Sequence, residues 1–332
     1  MLHPFPRTCV LATLFATFAF AARGDITITE LPDRVRIEID GQLFTEYRHV
    51  GAPHVYFYPL IGPGGVKMTR SWPMEEVAGE ERDHPHHRSL WFSHGLVNGG
   101  DFWTEAAPAK AGKHPVGAIV HEAVEEAKGG PAIGTLRTRQ KWVATDGTIP
   151  LTSTQTLRLH QTPATERLFD FEVRLTAGTA DVVLGDTKEG SMAIRIAESM
   201  RLKLPGGKAG AGHIVNSAGD RDGAAWGKRA AWVSFTGPVD GKTMGITIFD
   251  HPKNLRHPTR WHARDYGLFA ANPWCENEMD KTQPPGTGDY KMKAGESLLL
   301  RYRVLLHQGD SASANLADRF LKYTQEPAAT SN

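Results

Sequence analysis

The chain has 332 residues, of which 38 are Lys or Arg and 37 are Asp or Glu, so its formal net charge at pH 7 is +1. Because basic and acidic residues are almost equal in number, there is no reason to expect nucleic acid or an anionic membrane surface as a partner. Only two cysteines occur, and Cys9 lies in a segment that we expect to be removed. Cys275 then has no intrachain partner, so the fold must be stabilised by its hydrophobic core.

The first residues predict a secretory signal peptide over residues 1–22. Residues 1–7 are short and basic, residues 9–22 are apolar, and Ala19 and Ala21 form an A-x-A cleavage pattern. No later stretch reaches about 18 apolar residues, so we expect no membrane insertion after cleavage. Cleavage removes one basic and no acidic residue, which leaves a formally neutral chain. We expect this mature protein to be periplasmic or extracellular.

The periodicity of the mature chain is that of β-strands. Polar and apolar residues alternate in six stretches, at 34–39, 135–143, 152–160, 169–175, 245–249 and 298–307. Alternation with period two is typical of antiparallel sheets with one buried face. The stretch at 315–324 (NLADRFLKYT) predicts a short helix. We therefore expect one all-β domain over residues 23–325, a large antiparallel β-sandwich with a short C-terminal helix, and a flexible tail over 326–332.

Four segments depart from simple alternation because they combine ionisable and aromatic residues. They span residues 82–103, 184–195, 216–235 and 249–274. The first and last of them hold seven of the fifteen histidines. In large β-folds the chemistry usually lies on one concave sheet face or on the loops above it. We therefore predict that the four segments meet in one pocket.

These four segments resemble the PmoA-like family of secreted bacterial proteins, which often carry the label methane oxygenase PmoA. The residues that carry the resemblance are HPHHRSLWFSHGLVNGGDFW, GDTKEG, NSAGDRDGAAWGKRAAWV and DHPKNLRHPTRWHARDYGLFAANPW. The methane monooxygenase subunit of that name spans the membrane several times, whereas this chain has no span after its predicted leader. The resemblance therefore implies a secreted β-sandwich, similar to the supersandwich of aldose mutarotases and related sugar-processing enzymes, and it implies no methane oxidation.

The histidines of the first segment are open to two interpretations. If this segment is an extended strand, His84 and His86 point to the same side and His87 to the other. His84 and His86 would then bind a divalent metal, completed by His94 or His262, or they would contact a sugar. The other interpretation is that these imidazoles only make structural hydrogen bonds. No CxxC or HExxH spacing supports a standard zinc site.

A catalytic interpretation rests on acid–base chemistry. Histidine titrates near neutral pH, and so gives and takes protons there. We predict His86 or His87 as general acid or base, with Glu189 or His262 as its counterpart on the opposite side of the substrate. The alternative for residues 186–189 is a solvated charged loop without a catalytic role.

Other residues of the four segments suit a carbohydrate ligand. Aromatic rings stack on the C–H faces of sugars, while charged and amide groups hold the hydroxyls. The predicted substrate-binding residues are Arg88, Asn98, Asp101, Trp103, Lys188, Trp226, Lys228, Arg229, His251, Arg264 and Asn272.

The sequence therefore predicts an exported carbohydrate-active enzyme. It would use histidine and carboxylate groups on a neutral sugar or glycoside, in hydrolysis, elimination or epimerisation, with a divalent metal as an optional aid. No G-x-S-x-G elbow points to acyl transfer. A non-catalytic carbohydrate-binding or envelope protein is the main alternative, and a redox metalloprotein is a weaker one.

Overall fold

The computed structural model of the protein describes Met1, residues 25–105 and residues 114–326. The predicted signal peptide therefore lies outside the described residues except for Met1, and the predicted tail lies outside them except for Glu326. Within the described part of the chain, no helix is long and apolar enough to cross a membrane.

The described residues form eighteen strands and one α-helix. In chain order these are β1 (Ile26–Glu30), β2 (Arg34–Ile39), β3 (Gln42–Arg48), β4 (Tyr56–Phe57), β5 (Leu90–His94), β6 (Ala118–Lys128), β7 (Ile133–Val143), β8 (Leu151–His160), β9 (Glu166–Ala177), β10 (Val182–Leu184), β11 (Gly190–Arg195), β12 (His213–Asn216), β13 (Trp232–Val239), β14 (Lys242–Asp250), β15 (Arg260–Ala263), β16 (Leu268–Asn272), β17 (Tyr290–Met292), β18 (Ser297–Gln308) and α1 (Leu316–Gln325). Short 3-10 turns lie at Pro63–Gly65, Glu198–Met200, Pro205–Gly207 and Asp222–Ala225.

Two eight-stranded antiparallel sheets make up the sandwich. The first sheet has the order β1-β2-β3-β4-β5-β11-β16-β15, and the second has the order β12-β13-β14-β18-β9-β8-β7-β6. A two-stranded ribbon of β10 and β17 stands beside them. The prediction of a large antiparallel β-sandwich with a short C-terminal helix is confirmed.

The alternating sequence pattern builds the core between the sheets. In β9, Phe169, Phe171, Val173 and Leu175 are fully buried and belong to the main hydrophobic cluster. The residues between them include Asp170, which lies on the opposite face. Burial of one apolar face from each sheet is the main stabilising term of such a sandwich.

The centre of the first sheet is apolar on both of its faces. On the inner face, Phe92 of β5 and Met192 of β11 join the main core. On the outer face, Trp91 and Ala193, which are paired across the same two strands, belong to a second buried cluster. A sheet face can be buried in this way only if loops cover it. The loops that cover this outer face carry most of the histidines of the first segment.

The C-terminal helix covers part of the outer face of the second sheet. Leu316 and Tyr323 of α1 pack against Phe249 of β14 and Leu305 of β18. The helix runs from Leu316 to Gln325, one residue later at each end than the sequence predicts. Such shifts of one residue are ordinary at helix ends.

This packing predicts that replacing two leucines of the same helix by alanine lowers the free energy of unfolding by different amounts. Leu316 is 3% exposed and Leu321 is 55% exposed. We expect Leu316→Ala to lower the free energy of unfolding by about 2–5 kcal/mol, because it removes buried methyl groups and leaves a cavity. Leu321→Ala serves as the control and should change stability by no more than about 0.5 kcal/mol. Urea denaturation measures both, and equal losses would show that α1 does not dock in this way.

Candidate functional site

The first segment begins as a turn above the outer face of the first sheet. Residues 81–88 form turns and irregular structure, and His84 has a backbone φ of +40° in the left-handed region. The same-face rule for alternating strand residues therefore does not apply to His84 and His86. Instead, all three imidazoles touch one another: the ring centroids of His84 and His86 are 5.7 Å apart, those of His84 and His87 4.7 Å, and those of His86 and His87 4.5 Å. A non-glycine residue at positive φ is uncommon and is held there by its surroundings.

Arg70 fixes the position of this turn. Its side chain is fully buried, and its guanidinium donates hydrogen bonds to the carbonyl groups of Trp72, Glu81, Asp83 and His84. It also forms an ion pair with the Asp83 carboxylate. Arginine is suited to this task because its planar guanidinium carries five donors in a rigid arrangement.

Arg195 at the end of β11 is the second buried cation beneath the turn. Its Nη2 donates to Asp83 Oδ1 at 3.0 Å, and its Nη1 donates to His87 Nδ1 at 3.3 Å. Its guanidinium carbon lies 4.8 Å from the centre of the Tyr266 ring, within the range of a cation–π interaction. Burial and the charge of Arg70 lower the pKa of Arg195 to about 10, so it remains charged at neutral pH.

The Asp83 carboxylate binds and orients His84. Although burial opposes its ionisation, the His84 hydrogen bond and the charges of Arg195 and Arg70 hold the pKa of Asp83 well below its usual range. Nδ1–H of His84 donates to Asp83 Oδ2 at 2.7 Å. In the neutral imidazole this leaves Nε2 as an unprotonated acceptor. The side chain of His84 is 41% exposed.

His262 is oriented in the same way by a backbone carbonyl. It lies on the outer face of β15, where its Nδ1–H donates to the carbonyl oxygen of Lys188 at 2.9 Å. Burial and the charge of Arg264 lower the pKa of His262 to about 3, so the imidazole is neutral at pH 7. Its Nε2 is therefore unprotonated, and it accepts no hydrogen bond from the described part of the chain. Across the strands His262 is paired with Ala270, Ala270 with Ala193 and Ala193 with Trp91, so His262 lies on the same outer face of the first sheet as Trp91.

His86 and His87 are also neutral, but their surroundings differ. Burial, with help from His84 and His54, lowers the pKa of His86 to about 3. Burial and His86 hold the pKa of His87 well below its usual value. Because Arg195 donates to Nδ1 of His87, the ring hydrogen of His87 is on Nε2. Neither imidazole is a source of imidazolium at neutral pH, which weakens the prediction that one of them is a general acid.

Aromatic and cationic side chains form the rim beside these imidazoles. The Arg264 guanidinium carbon lies 5.7 Å from the ring centre of Trp226 and 5.3 Å from that of Tyr266. The Tyr266 ring is also parallel to the His84 ring within 6°, with the two centroids 5.2 Å apart. Nearby, Lys188 Nζ and Glu189 Oε1 form an ion pair at 3.3 Å. Trp226, Tyr266, Arg264 and the Lys188–Glu189 pair are all partly exposed.

The structure thus brings together a core set from all four predicted segments. This set, which we call the outer-face cluster, consists of His84, His86, His87, Lys188, Glu189, Trp226, His262 and Arg264 together with Asp83, Arg195 and Tyr266. Its members come from different loops and strands, and the outer face of the first sheet is the surface that they share.

His94 does not belong to this cluster. It lies on the inner side of β5, where Nε2–H donates to the Gly185 carbonyl at 2.9 Å and Nδ1 faces the Ser191 hydroxyl at 3.4 Å. The predicted metal set of His84, His86 and His94 is therefore not assembled. Among the residues that the structure describes, no group of three or more His, Cys, Asp or Glu side chains is arranged to hold a metal ion.

Several predicted substrate-binding residues of the first segment are instead buried or hydrogen-bonded to other residues of the protein. Arg88 makes a double hydrogen bond with Glu105, with distances of 2.7–2.9 Å. Asn98 accepts a hydrogen bond from the backbone of Val183, and Asp101 closes its own turn by accepting from the backbone N–H groups two and three residues further on. Trp103 is fully buried, so a sugar cannot stack on it from solvent in this conformation.

Several predicted substrate-binding residues of the third and fourth segments also lie outside the outer-face cluster. Arg229 forms an ion pair with Glu276, and the Asn272 amide donates to the Thr187 carbonyl at 2.9 Å. Lys228 is exposed and makes no contact that ties it to the cluster. His251 lies under the C-terminal helix, with its ring centroid 5.1 Å from that of Tyr323. It follows β14 of the second sheet, whereas His262 lies in the first sheet.

Sequence reasoning did not identify four residues of the site, namely Arg70, Asp83, Arg195 and Tyr266. A signal was present in two cases. Arg195 ends a strand that carries no other charge, so its own charge must find a buried partner. Asp83 directly precedes the histidines, and a carboxylate next to an imidazole is a common way to orient it.

The buried imidazoles predict that acid weakens the fold. Burial is the main cause that lowers the pKa of His86 and His262 to about 3 and that of His94 to about 4, from an ordinary value of 6.5. Between about pH 6.5 and 3 the unfolded chain therefore binds more protons than the folded chain. The free energy of unfolding should be greatest above pH 6.5 and should fall as the pH drops through this window.

Urea denaturation at pH 7, 6 and 5 checks this expectation. His262→Gln should make the stability less dependent on pH, because it removes one of the suppressed imidazoles. His114→Gln, which changes an exposed histidine, is the matched control and should leave the pH dependence as it is. A free energy of unfolding that is constant from pH 7 to pH 5 would contradict the predicted burial of neutral imidazoles.

Comparison with solved structures finds similarity over much of this chain but only part of each neighbour. A polysaccharide lyase matches with a TM-score of 0.33, 12% identity and coverage of 90% of this chain and 34% of the lyase. A heparinase III matches with a TM-score of 0.32, 11% identity and coverage of 89% and 36%. A 4-alpha-glucanotransferase from Thermococcus litoralis matches with a TM-score of 0.28, 12% identity and coverage of 86% and 39%. This chain therefore spans little more than a third of these proteins, and TM-scores this low carry no argument about its function.

Comparison of the sequence with curated proteins finds no significant match. The profile of a family of unknown function, DUF6807, matches residues 34–321, which include the outer-face cluster and nearly all of the described sandwich. The chain therefore belongs to the family of unknown function DUF6807.

Proposed function

We propose that this protein is a carbohydrate-active enzyme whose substrate binds at the outer-face cluster. The observation that carries the proposal is the orientation of His84 and His262. Each imidazole donates its Nδ1 hydrogen to a protein acceptor, at 2.7 Å and 2.9 Å respectively, and Nε2 of each ring accepts no hydrogen bond within the described part of the chain. A base whose ring is fixed by a second hydrogen bond is a common arrangement in acid–base catalysis.

The two imidazoles differ in how well each can hold a proton taken from a substrate. A proton accepted by His84 would lie on a ring that is hydrogen-bonded to the Asp83 carboxylate. At His262 the proton is opposed by burial and by the cations of Arg264 and Lys188. His84 is therefore the better general base, and His262 is the better acceptor for a sugar hydroxyl. Glu189 is the partly exposed carboxylate beside them and supplies the second acid–base group.

The rim of the cluster suits a sugar in two respects. Trp226 and Tyr266 are partly exposed aromatic rings, and each has Arg264 on one side. The Tyr266 ring already has His84 and Arg195 against it, so Trp226 is the ring that would stack on C–H groups, while Arg264 and Lys188 donate charged hydrogen bonds to hydroxyls. The predicted leader over residues 1–22 supports export, so we propose that the enzyme meets its substrate outside the cytoplasm.

A non-catalytic carbohydrate-binding protein is the second candidate. The specific observation in its favour is that His86, His87 and His262 all remain neutral at physiological pH. Neutral imidazoles hydrogen-bond to sugar hydroxyls without transferring a proton. The two functions predict different effects of the same substitutions.

The test begins with a screen of glycosides, oxidised glycosides, free aldoses and uronate-containing sugars for turnover and for binding. His84→Gln and His262→Gln are then compared with the wild type. Under the proposed function, His84→Gln should lower kcat by about 10²–10⁴ while ligand affinity is largely retained, because the loss is that of a proton acceptor. His262→Gln should raise KM more than it lowers kcat, because it removes a hydroxyl acceptor.

His213→Gln is the matched control for His84→Gln. His213 is 74% exposed and its Nδ1 lies 3.7 Å from Asp222, but it belongs to β12 of the second sheet. It should not affect turnover or binding. Unchanged turnover in His84→Gln would show that His84 is not the general base. If the wild type turns over no sugar and the variants lose binding, the carbohydrate-binding protein is favoured.

A further inference from the structure

The floor beneath the outer-face cluster contains ring N–H groups without acceptors. His87, Trp91 and Trp103 are 1%, 2% and 0% exposed. Nε2 of His87, Nε1 of Trp91 and Nε1 of Trp103 are each buried, and none has a hydrogen bond partner in the part of the chain that the structure describes. An unpaired buried donor costs about 1–3 kcal/mol, so several together in one place are unusual in a folded protein.

These three rings are in mutual contact. The centroids of His87 and Trp91 are 5.3 Å apart, those of His87 and Trp103 5.8 Å, and those of Trp91 and Trp103 5.1 Å. We call these three residues the donor triad. The hydroxyl of Ser93, two residues after Trp91 on the same face of β5, is also buried without a partner among the described residues. The indole N–H groups of Trp72, Trp226 and Trp274 are also buried without partners among the described residues, but the donor triad is distinguished by the mutual contact of its three rings.

All three groups of the donor triad act as donors. An indole N–H can only donate. Nε2 of His87 carries the ring hydrogen because Arg195 donates to Nδ1 of the same ring. The positive charge of Arg195 also polarises the imidazole and strengthens Nε2–H as a donor. The ligand group that fits is therefore rich in acceptors, and a carboxylate offers about four acceptor positions and no hydrogen of its own.

We infer that the donor triad binds the carboxylate of an acidic sugar, so that the substrate class is a uronic acid or a uronate-containing saccharide. The inference rests on the proposed function and makes its substrate more specific. It differs from the neutral sugar that the sequence predicts, because the two buried cations Arg195 and Arg70 share the single carboxylate of Asp83 and Arg195 contacts His87 of the triad directly. A low-dielectric surrounding strengthens the attraction between these cations and an anion.

His86 is a less buried ring next to the donor triad. Its ring centroid lies 4.5 Å from that of His87 and 6.3 Å from that of Trp103, and the residue is half-buried. Its ring nitrogens make no hydrogen bond within the described part of the chain. Rotation of this side chain would therefore break no hydrogen bond of its ring within the described part of the chain.

The first test compares sugars that differ only at C6. D-glucuronate and D-galacturonate are titrated against the full-length mature protein by calorimetry or ligand-observed NMR, with D-glucose and D-galactose as the neutral partners. We expect the acids to bind roughly 10–100-fold more tightly, because hydrogen bonds to a charged group are each worth a factor of this size. Trp103→Phe and Trp91→Phe should each reduce this preference by a similar factor.

Trp142→Phe is the matched control. Trp142 is a fully buried indole like Trp103, but its Nε1–H already donates to Ser153 Oγ at 3.1 Å within the main core. The control should keep the preference for the acid. Without ligand, Trp103→Phe should also lower Tm less than Trp142→Phe, since only the latter breaks a hydrogen bond.

The outcomes separate this inference from the proposed function. If neutral and acidic sugars bind alike, or if Trp103→Phe and Trp91→Phe keep the full preference, the carboxylate assignment is overturned while the proposed function stands. If Trp103→Phe lowers Tm as much as Trp142→Phe does, the Trp103 N–H already has a hydrogen bond partner and the triad is not a ligand site. If no sugar of either kind binds, the proposed function fails and the inference fails with it.

Discussion

The ion pair between Asp83 and two buried arginines is the interaction on which the rest of the site depends. Arg70 and Arg195 are both fully buried, and Asp83 is the carboxylate that they share. Removing one member of a buried ion pair leaves the other charge uncompensated, which typically costs about 3–5 kcal/mol. The turn over residues 81–88 is therefore held against the outer face of the first sheet by charge and by hydrogen bonds to its carbonyl groups. Without that anchor, His84 would lose both its position and its hydrogen bond acceptor.

The same charges give the neighbouring histidines different properties. His84 has the carboxylate as its partner, whereas His87 receives a hydrogen bond from Arg195. One imidazole thus offers an acceptor nitrogen and the other a donor N–H, although both belong to one short stretch of sequence. Because burial keeps His86, His87 and His262 neutral, the charges near the site are those of the arginines, of Lys188 and of the carboxylates. This arrangement suits a ligand with acceptor groups at one end and hydroxyls at the other.

The histidine-rich fourth segment is divided because it crosses from one sheet to the other. Its first part follows β14 in the second sheet, where the buried Asp250 accepts from His257 Nδ1 at 2.7 Å and His251 packs on the C-terminal helix. Its second part is β15 of the first sheet and carries His262. The second half of this segment thus lies on the outer face with the other segments and the first half does not, because sheet membership separates residues only eleven positions apart.

The sequence by itself determined the all-β class, the antiparallel sheets and the C-terminal helix, because alternation with period two and a helical period follow directly from backbone geometry. It also indicated the segments that contain the site, since polar and aromatic residues interrupted the alternation there. It could not determine which of their polar side chains are already hydrogen-bonded elsewhere in the fold. Arg88 and His94 have the same residue types as cluster members and Asn272 is polar like them, yet their hydrogen bonds go to Glu105, Gly185 and Thr187 respectively. Only the tertiary structure decided this, because the partner of a polar group is set by strand register and by loops far away in the chain, and not by its sequence neighbours.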